Sequence, residues 1–223
     1  MKILIVGFPR SGTTLTHRIF NGHPDVKEMR FEKWTLKQAK NKEELIKKFP
    51  LFSFTSGEKV IWEKRIIGKK GKTTDTIADY CKKWNDWFQD EARIVQIIRH
   101  PFDSLNSLVI SKKRFPRGPA FSSIYPQYLE CAEKFIREIN EFPNTMTIKY
   151  ETLVTEPEKT IKQLYKHCNI NSKHAHPERM KKARIFNYKN KNFLFKYNKK
   201  LENIIDSFNK IEGVQYNGLL DNR

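Results

Sequence analysis

Residues 7–14, close to the start of the chain, have the composition of an anion-binding loop. They read Gly-Phe-Pro-Arg-Ser-Gly-Thr-Thr and lie between an apolar run at residues 3–6 and a stretch in which apolar residues recur at helical spacing. A loop between a buried strand and a helix directs several backbone N–H groups at one point, where they bind anions. The two glycines have the spacing of the nucleotide P-loop, but Thr13 stands in place of its lysine and Arg10 carries the positive charge. This pattern favours a single terminal phosphate over a triphosphate.

Two further cationic side chains follow predicted strands. Lys64 comes after a short apolar run, and Arg99 ends the run at residues 93–98. Because the strands of a parallel sheet end at one edge, we expect Arg10, Lys64 and Arg99 around one crevice, which suits a ligand with more than one phosphate. Ser107 lies eight residues after Arg99, in the next predicted helix, so the pair is placed to hold one phosphate.

The elements that must position these side chains alternate between strand and helix. The predicted strands are residues 3–6, 26–31, 60–62, 93–98 and 145–149. After the helix that Gly12 opens, helices are predicted within residues 35–49, 76–88, 102–111, 127–141, 158–167 and 199–211. The alternation predicts an α/β fold with one domain over residues 1–223. We expect a P-loop-like three-layer sandwich, in which helices flank a central parallel sheet of about four to five strands.

The charge of the chain indicates anionic ligands. It holds 43 Lys and Arg against 25 Asp and Glu, a formal net charge of +18, although a general excess of lysine accounts for this equally well. No recognised nucleic-acid-binding motif accompanies the charge, so we expect no nucleic-acid partner. The sequence shows no membrane-length apolar run, and we expect neither a signal peptide nor a membrane span. Its three cysteines lie far apart, which predicts reduced thiols and a cytoplasmic location.

The motifs together resemble those of the sulfotransferases. Residues 7–15, followed by His-Pro-Asp at residues 23–25, are similar to the 5′-phosphosulfate loop of that family. They are most similar to the branch of tyrosylprotein and heparan-type glycan sulfotransferases and their bacterial relatives. Arg99 with Ser107 resembles the family's 3′-phosphate motif, and residues 148–154 resemble its Tyr-Glu-x-Leu strand end.

The resemblance implies an activity and a set of site residues. The activity is transfer of a sulfuryl group from 3′-phosphoadenosine-5′-phosphosulfate (PAPS) to an acceptor hydroxyl or amine, with adenosine 3′,5′-bisphosphate (PAP) as product and no metal. The transfer is an in-line displacement in which negative charge grows on the leaving phosphate oxygen. Arg10 is implied as a catalytic residue, and Lys64 is implied to stabilise that oxygen. The residues implied to bind the donor are Pro9, Arg10, Ser11, Gly12, Thr13, Thr14, Arg99, Ser107 and Tyr150.

The general base, the acceptor and the reaction class each have alternatives. The resemblance implies a glutamate base shortly after the His-Pro-Asp segment, and we prefer Glu32, 22 residues after Arg10, to Glu28, which lies within a predicted strand. The lysines of the segments that lie outside these motifs favour an anionic glycan or an acidic peptide as acceptor. A small alcohol and a lipid are the alternatives. The alternative enzyme is a P-loop small-molecule kinase using ATP. The loop disfavours the kinase because it lacks the lysine that a triphosphate requires.

Overall fold

The fold is a parallel sheet between two layers of helices. The computed structural model describes residues 1–8, 10–60, 77–100, 103–104, 107 and 135–174. Within these ranges the sheet has the order β2-β3-β1-β4-β5, and its strands are β1 (Lys2–Gly7), β2 (Glu28–Phe31), β3 (Ser56–Lys59), β4 (Ala92–Ile98) and β5 (Thr145–Lys149). The α-helices are α1 (Thr13–Phe20), α2 (Lys42–Lys48), α3 (Ile77–Phe88), α4 (Tyr150–Thr155) and α5 (Pro157–His167). Short 3₁₀ helices cover Thr35–Gln38, Pro50–Ser53, Gln89–Glu91 and Ser172–His174, and residues 135–140 are also helical.

The middle of the sheet is formed by β1 and β4, whose residues are apolar on both faces. Alternate side chains of β1 enter different layers: Leu4 joins the core with α3, and Ile5 joins the core with α1 and α5. A strand covered on both faces needs this pattern, because each side chain of the alternation is buried. The predicted α/β three-layer sandwich with a parallel sheet is therefore confirmed.

The third strand of the sheet begins earlier in the chain than predicted. We expected it at residues 60–62, but β3 spans Ser56–Lys59 and Val60 follows it, while residues 61–62 lie outside the described residues. The Ser-Gly-Glu-Lys sequence of β3 lacks the apolar residues typical of a central strand, yet all four residues are buried between β1 and β2. Gly57 permits this, because a Cβ there would lie 2.3 Å from the carbonyl oxygen of Ile3. Pairing with a strand on each side, rather than apolar composition, makes this segment a strand.

Most of the described helices lie where the periodicity of the sequence predicts them. The predicted helices at 76–88 and 158–167 correspond to α3 and α5. Within the helices predicted at 102–111 and 127–141, residues 103, 104 and 107 and residues 135–140 are helical. The helix predicted at 199–211 lies outside the described residues. One helix was not predicted, since α4 begins directly at Tyr150, where we expected only the end of a strand.

Candidate active site

The loop between β1 and α1 is tightly folded against the end of the sheet. Ser11 donates two hydrogen bonds to the carbonyl oxygen of Phe8, from its hydroxyl at 2.8 Å and from its backbone N–H at 3.1 Å. A Cβ on Gly7 would lie 2.7 Å from both the Ile97 oxygen and the Ser11 hydroxyl oxygen. Glycine is therefore required at this position, and the side chain of Ser11 shapes the loop from inside. Pro9 lies outside the described residues.

Two loop residues have left-handed backbone angles. Gly12 has φ of 109°, and a Cβ there would lie 2.5 Å from Cδ2 of Tyr150. Arg10 has φ of 72°, a conformation that costs free energy for a residue with a side chain. Such strain persists where the surrounding structure imposes it, commonly at functional sites. α1 begins after Gly12 without a side-chain hydrogen bond to its first turn, so its N-terminal N–H groups face the loop.

A cluster of two arginines and a serine lies beside this loop. Arg99, which follows β4, donates from Nη1 to the Arg10 carbonyl oxygen at 3.1 Å, and its guanidinium lies 4.3 Å from the centroid of the Tyr150 ring. Arg10 Nε donates to Ser107 Oγ at 3.0 Å. The structure thus brings together four of the residues that the sequence implied for donor binding: Arg10, Arg99, Ser107 and Tyr150. Through these contacts, Arg10 of the loop is joined to Arg99 and Ser107, the pair that we expected to hold a phosphate of its own.

The buried guanidinium of Arg99 has unused hydrogen-bonding capacity. Its Nε and Nη2 have no hydrogen-bond partner among the described residues, and Nη2 lies 3.9 Å from a carboxylate oxygen of Asp103. A buried donor without a partner costs free energy, so these two atoms suit a bound anion. Arg99 therefore fits the phosphate that the sequence assigned to it.

Burial limits the charge of the other titratable groups near Arg99. It raises the pKa of Asp103 to about 6 and lowers the pKa of His100 to about 4. It also raises the pKa of Glu151, whose carboxylate accepts the backbone N–H of His100 at 2.8 Å. Burial therefore disfavours the charged form of all three groups beside Arg99.

The second half of the site is the contact between Lys59 and Glu32. Lys59 ends β3, is buried, and pairs its ammonium group with the carboxylate of Glu32. The same nitrogen donates to Thr14 Oγ1 at 3.3 Å and lies 3.7 Å from the centroid of the Phe31 ring. Burial lowers the pKa of Lys59. One ammonium group therefore touches both α1, at the end of the loop, and the carboxylate after β2.

Sequence reasoning missed Lys59, and the structure separates the two candidate bases. Lys59 would have been found had β3 been recognised, because it is the last residue of that strand. Lys64, the lysine we predicted, lies outside the described residues. Glu28 begins β2 and pairs with Arg30 at 3.3 Å, at the strand end opposite to Glu32. Glu32 is thus beside the loop and Glu28 is not.

Two features are absent from the described residues. Within them, no three His, Cys, Asp or Glu side chains come together as a metal-binding group. None of the helices in the same ranges is both long and apolar enough to cross a bilayer.

Comparisons with known proteins bear on the family and the fold. A family model described as "Sulfotransferase domain" matches residues 1–215. A solved sulfotransferase from Alicyclobacillus acidocaldarius has 12% sequence identity and a TM-score of 0.58, and the alignment covers 92% of this chain and 89% of that one. The sulfotransferase domain from the curacin biosynthetic pathway has 12% identity and a TM-score of 0.51, with coverage of 92% and 95%. A comparison with curated proteins found no match. None of the matches supports the kinase alternative.

Proposed function

Because the chain belongs to the sulfotransferase family, whose members transfer a sulfuryl group from PAPS, we propose which of its residues perform that transfer. The donor binds between the loop after β1 and the Arg99 cluster, and the acceptor is activated at Glu32. The observation that carries this proposal is the position of Lys59, whose ammonium group contacts both Thr14 and Glu32. The donor site and the base are therefore adjacent.

The donor has two anionic ends, and the cluster offers cations to both. The loop N–H groups, Arg10 and the hydroxyls of Thr13 and Thr14 hold the 5′-phosphosulfate. Arg99 and Ser107 hold the 3′-phosphate, which is supported by the two guanidinium atoms of Arg99 that lack partners among the described residues. Tyr150 fixes the plane of the Arg99 guanidinium by lying against it. No metal is needed, because guanidinium and ammonium groups supply the positive charge.

We assign the role first given to Lys64 to Lys59. A donor that stabilises charge growing on the leaving oxygen must lie close to the loop. Lys59 does so, with its nitrogen 3.3 Å from the Thr14 hydroxyl at the start of α1. Its low exposure strengthens its interaction with that charge, because water screens it little.

Glu32 is the general base in this proposal. It takes the proton from the acceptor hydroxyl or amine while the acceptor atom attacks sulfur, and the bond from sulfur to the bridging phosphate oxygen breaks. Lys59 neutralises the oxygen of the phosphate that leaves in PAP. The left-handed φ of 54° at Glu32 supports a functional role, since a side-chain-bearing residue rarely adopts it.

The surface around Glu32 favours an anionic acceptor. Exposed lysines follow the base at Lys33, Lys37 and Lys40, and the ring of Phe31 beside it is 43% exposed. Ammonium groups attract carboxylate or sulfate groups, and an aromatic ring offers a face for stacking. An anionic glycan or an acidic peptide combines these features better than a neutral small alcohol.

The described cysteines support a reducing compartment. Cys81 and Cys168 are both buried free thiols. Burial also raises the pKa of each thiol, which keeps it protonated and unreactive. We therefore propose a cytoplasmic location.

Two measurements test the function. Calorimetry should show that PAP binds without magnesium and that ATP with magnesium does not compete with it. Incubation with labelled PAPS and two acceptor probes, a heparan-type oligosaccharide and a tyrosine-containing acidic peptide, should transfer label to one of them. ATP binding that requires magnesium, with no binding of PAP, would contradict the proposal.

A further inference from the structure

A buried carboxyl group lies next to Lys59 and has no place in the chemistry above. Glu58 precedes Lys59 in β3, and its side chain, fully excluded from solvent, enters the opposite layer of the fold. Burial raises the pKa of Glu58. A carboxyl in such a position is costly unless it is well hydrogen-bonded, so its contacts indicate its role.

The contacts of Glu58 converge on the backbone that follows Glu32. Its Oε2 accepts the backbone N–H of Thr35 at 2.8 Å and the hydroxyl of Tyr80 at 2.7 Å. The Tyr80 oxygen in turn accepts the backbone N–H of Leu36 at 3.1 Å. These are the first N–H groups of the 3₁₀ helix Thr35–Gln38, which has no side-chain cap of its own. The Glu58 carboxyl and the Tyr80 hydroxyl, which belong to other elements of the fold, accept these N–H groups in place of such a cap.

The segment held in this way contains unusual backbone angles. Glu32 and Trp34 both have left-handed φ, of 54° and 51°. The backbone N–H of Glu32 donates to the Lys59 carbonyl oxygen at 2.8 Å, which fixes the start of the segment. Thr35, held by Glu58, fixes its end. Left-handed residues other than glycine need restraint from their surroundings, and here β3 restrains both ends.

We propose that Glu58 is a positioning residue for Glu32: by holding the Thr35 and Leu36 backbone through its own carboxyl and the Tyr80 hydroxyl, it keeps the base beside Lys59. This inference rests on the proposed function of Glu32. Glu58 touches neither donor nor acceptor in this role. It acts through the backbone, so a residue that accepts the same hydrogen bonds should replace it.

The test compares Glu58→Ala with Glu58→Gln. Label released from PAPS to any product, water included, gives the turnover rate, and calorimetry gives the PAP dissociation constant. Misplacing a catalytic group by about 1 Å can cost about 10²-fold, so Glu58→Ala should lower turnover by about 10- to 100-fold. The hydrogen bonds of Glu58 described above go to Thr35 and Tyr80 and not to the donor-site cluster, so the PAP dissociation constant should stay within about twofold of the parent value. Glu58→Gln keeps an accepting oxygen and should retain turnover within about threefold.

Two further variants separate positioning from a general loss of stability. Ile139→Ala opens a cavity in the same core layer, away from this network, and is the matched destabilised control. It should lower the melting temperature without the fall in turnover. Tyr80→Phe removes only the hydroxyl and should give a smaller fall in turnover than Glu58→Ala; it decides the question if Glu58→Ala does not fold.

The inference would be overturned if Glu58→Ala, or Tyr80→Phe in its place, lost no more turnover than Ile139→Ala. It would also be overturned if Glu58→Gln were as inactive as Glu58→Ala, because the charge and not the tether would then matter. A parent protein that neither binds PAP nor consumes PAPS would overturn the proposed function and this role together. That result is distinguishable, since it appears before any variant is made.

Discussion

Replacing Lys59 by methionine is the sharpest test of the active site. The change keeps most of the aliphatic volume of the side chain and removes the ammonium group that contacts Thr14 and Glu32. If this group stabilises the leaving oxygen, turnover should fall while the fold and the donor site remain. The expected sizes of these effects follow from the burial of the two partners.

The effect on catalysis should be much larger than the effect on stability. Removing one preorganised donor from a developing oxyanion costs about 10²- to 10³-fold in turnover, or about 2.7–4 kcal/mol. The side chain of Lys59 is 2% exposed but that of Glu32 is 27% exposed, so the carboxylate left behind can be solvated. Lys59→Met also removes the desolvation cost of burying the ammonium group, which offsets the lost ion pair. We therefore expect a change in unfolding free energy of about 1 kcal/mol. For a chain of this size, that is about 2–4 °C in melting temperature.

The assay measures PAPS consumption, PAP affinity and melting temperature for Lys59→Met and for Lys64→Met. The Lys64 variant is the matched control, because the sequence alone assigned the role to that lysine. We expect Lys59→Met to lose turnover as above, with PAP affinity reduced by no more than about tenfold, or 1.4 kcal/mol. Lys64→Met should turn over normally. Normal turnover in Lys59→Met with loss in Lys64→Met would refute the assignment.

Three further predictions concern the base, the 3′-phosphate site and the buried histidine. Glu32→Gln should reduce PAPS consumption, measured as turnover, by about 10²- to 10⁴-fold and leave PAP binding, measured by calorimetry, within about twofold. Glu28→Gln should be normal in both measurements. The reverse pattern would assign the base to Glu28. Arg99→Ala should weaken PAP by about 10- to 100-fold while hardly changing adenosine 5′-monophosphate, since only PAP has the 3′-phosphate; equal losses for both ligands in calorimetry would contradict this assignment. Burial lowers the pKa of His100 from 6.5 to about 4, so stability present above pH 6.5 should be lost as pH falls toward 4, by up to about 3 kcal/mol. Urea unfolding at pH 7 and pH 4.5 should show this loss in the parent and a smaller one in His100→Gln; an equal loss in both would mean that other groups titrate.

The parts of the fold and site that the sequence predicted correctly have local signals. β1 and β4 are largely apolar runs, Arg99 follows β4 directly and Arg10 lies in the loop after β1, so their meeting at one sheet edge follows from parallel topology. The contact of Arg10 with Ser107 was not predictable, because it depends on how the loop after β1 meets the helical segment that contains Ser107. Likewise, the start of α4 at Tyr150 was not predicted, because the motif there was recognised by its residue types, which do not show where a helix begins.

The part that was missed, β3, lacks a local signal for a physical reason. It pairs with β1 and β2 on either side, and two of its four side chains are charged groups that make specific polar contacts. Side chains alternate along a strand, so Lys59 reaches Thr14 and Glu32 on one face while Glu58 reaches Thr35 on the other. The consecutive residues Glu58 and Lys59 therefore contact the segment of the proposed base, Glu32, from the two faces of the sheet. An apolar strand would have been easier to predict. It would, however, have left Glu32 without the ammonium group of Lys59, and the Thr35 backbone without its hydrogen bond to Glu58.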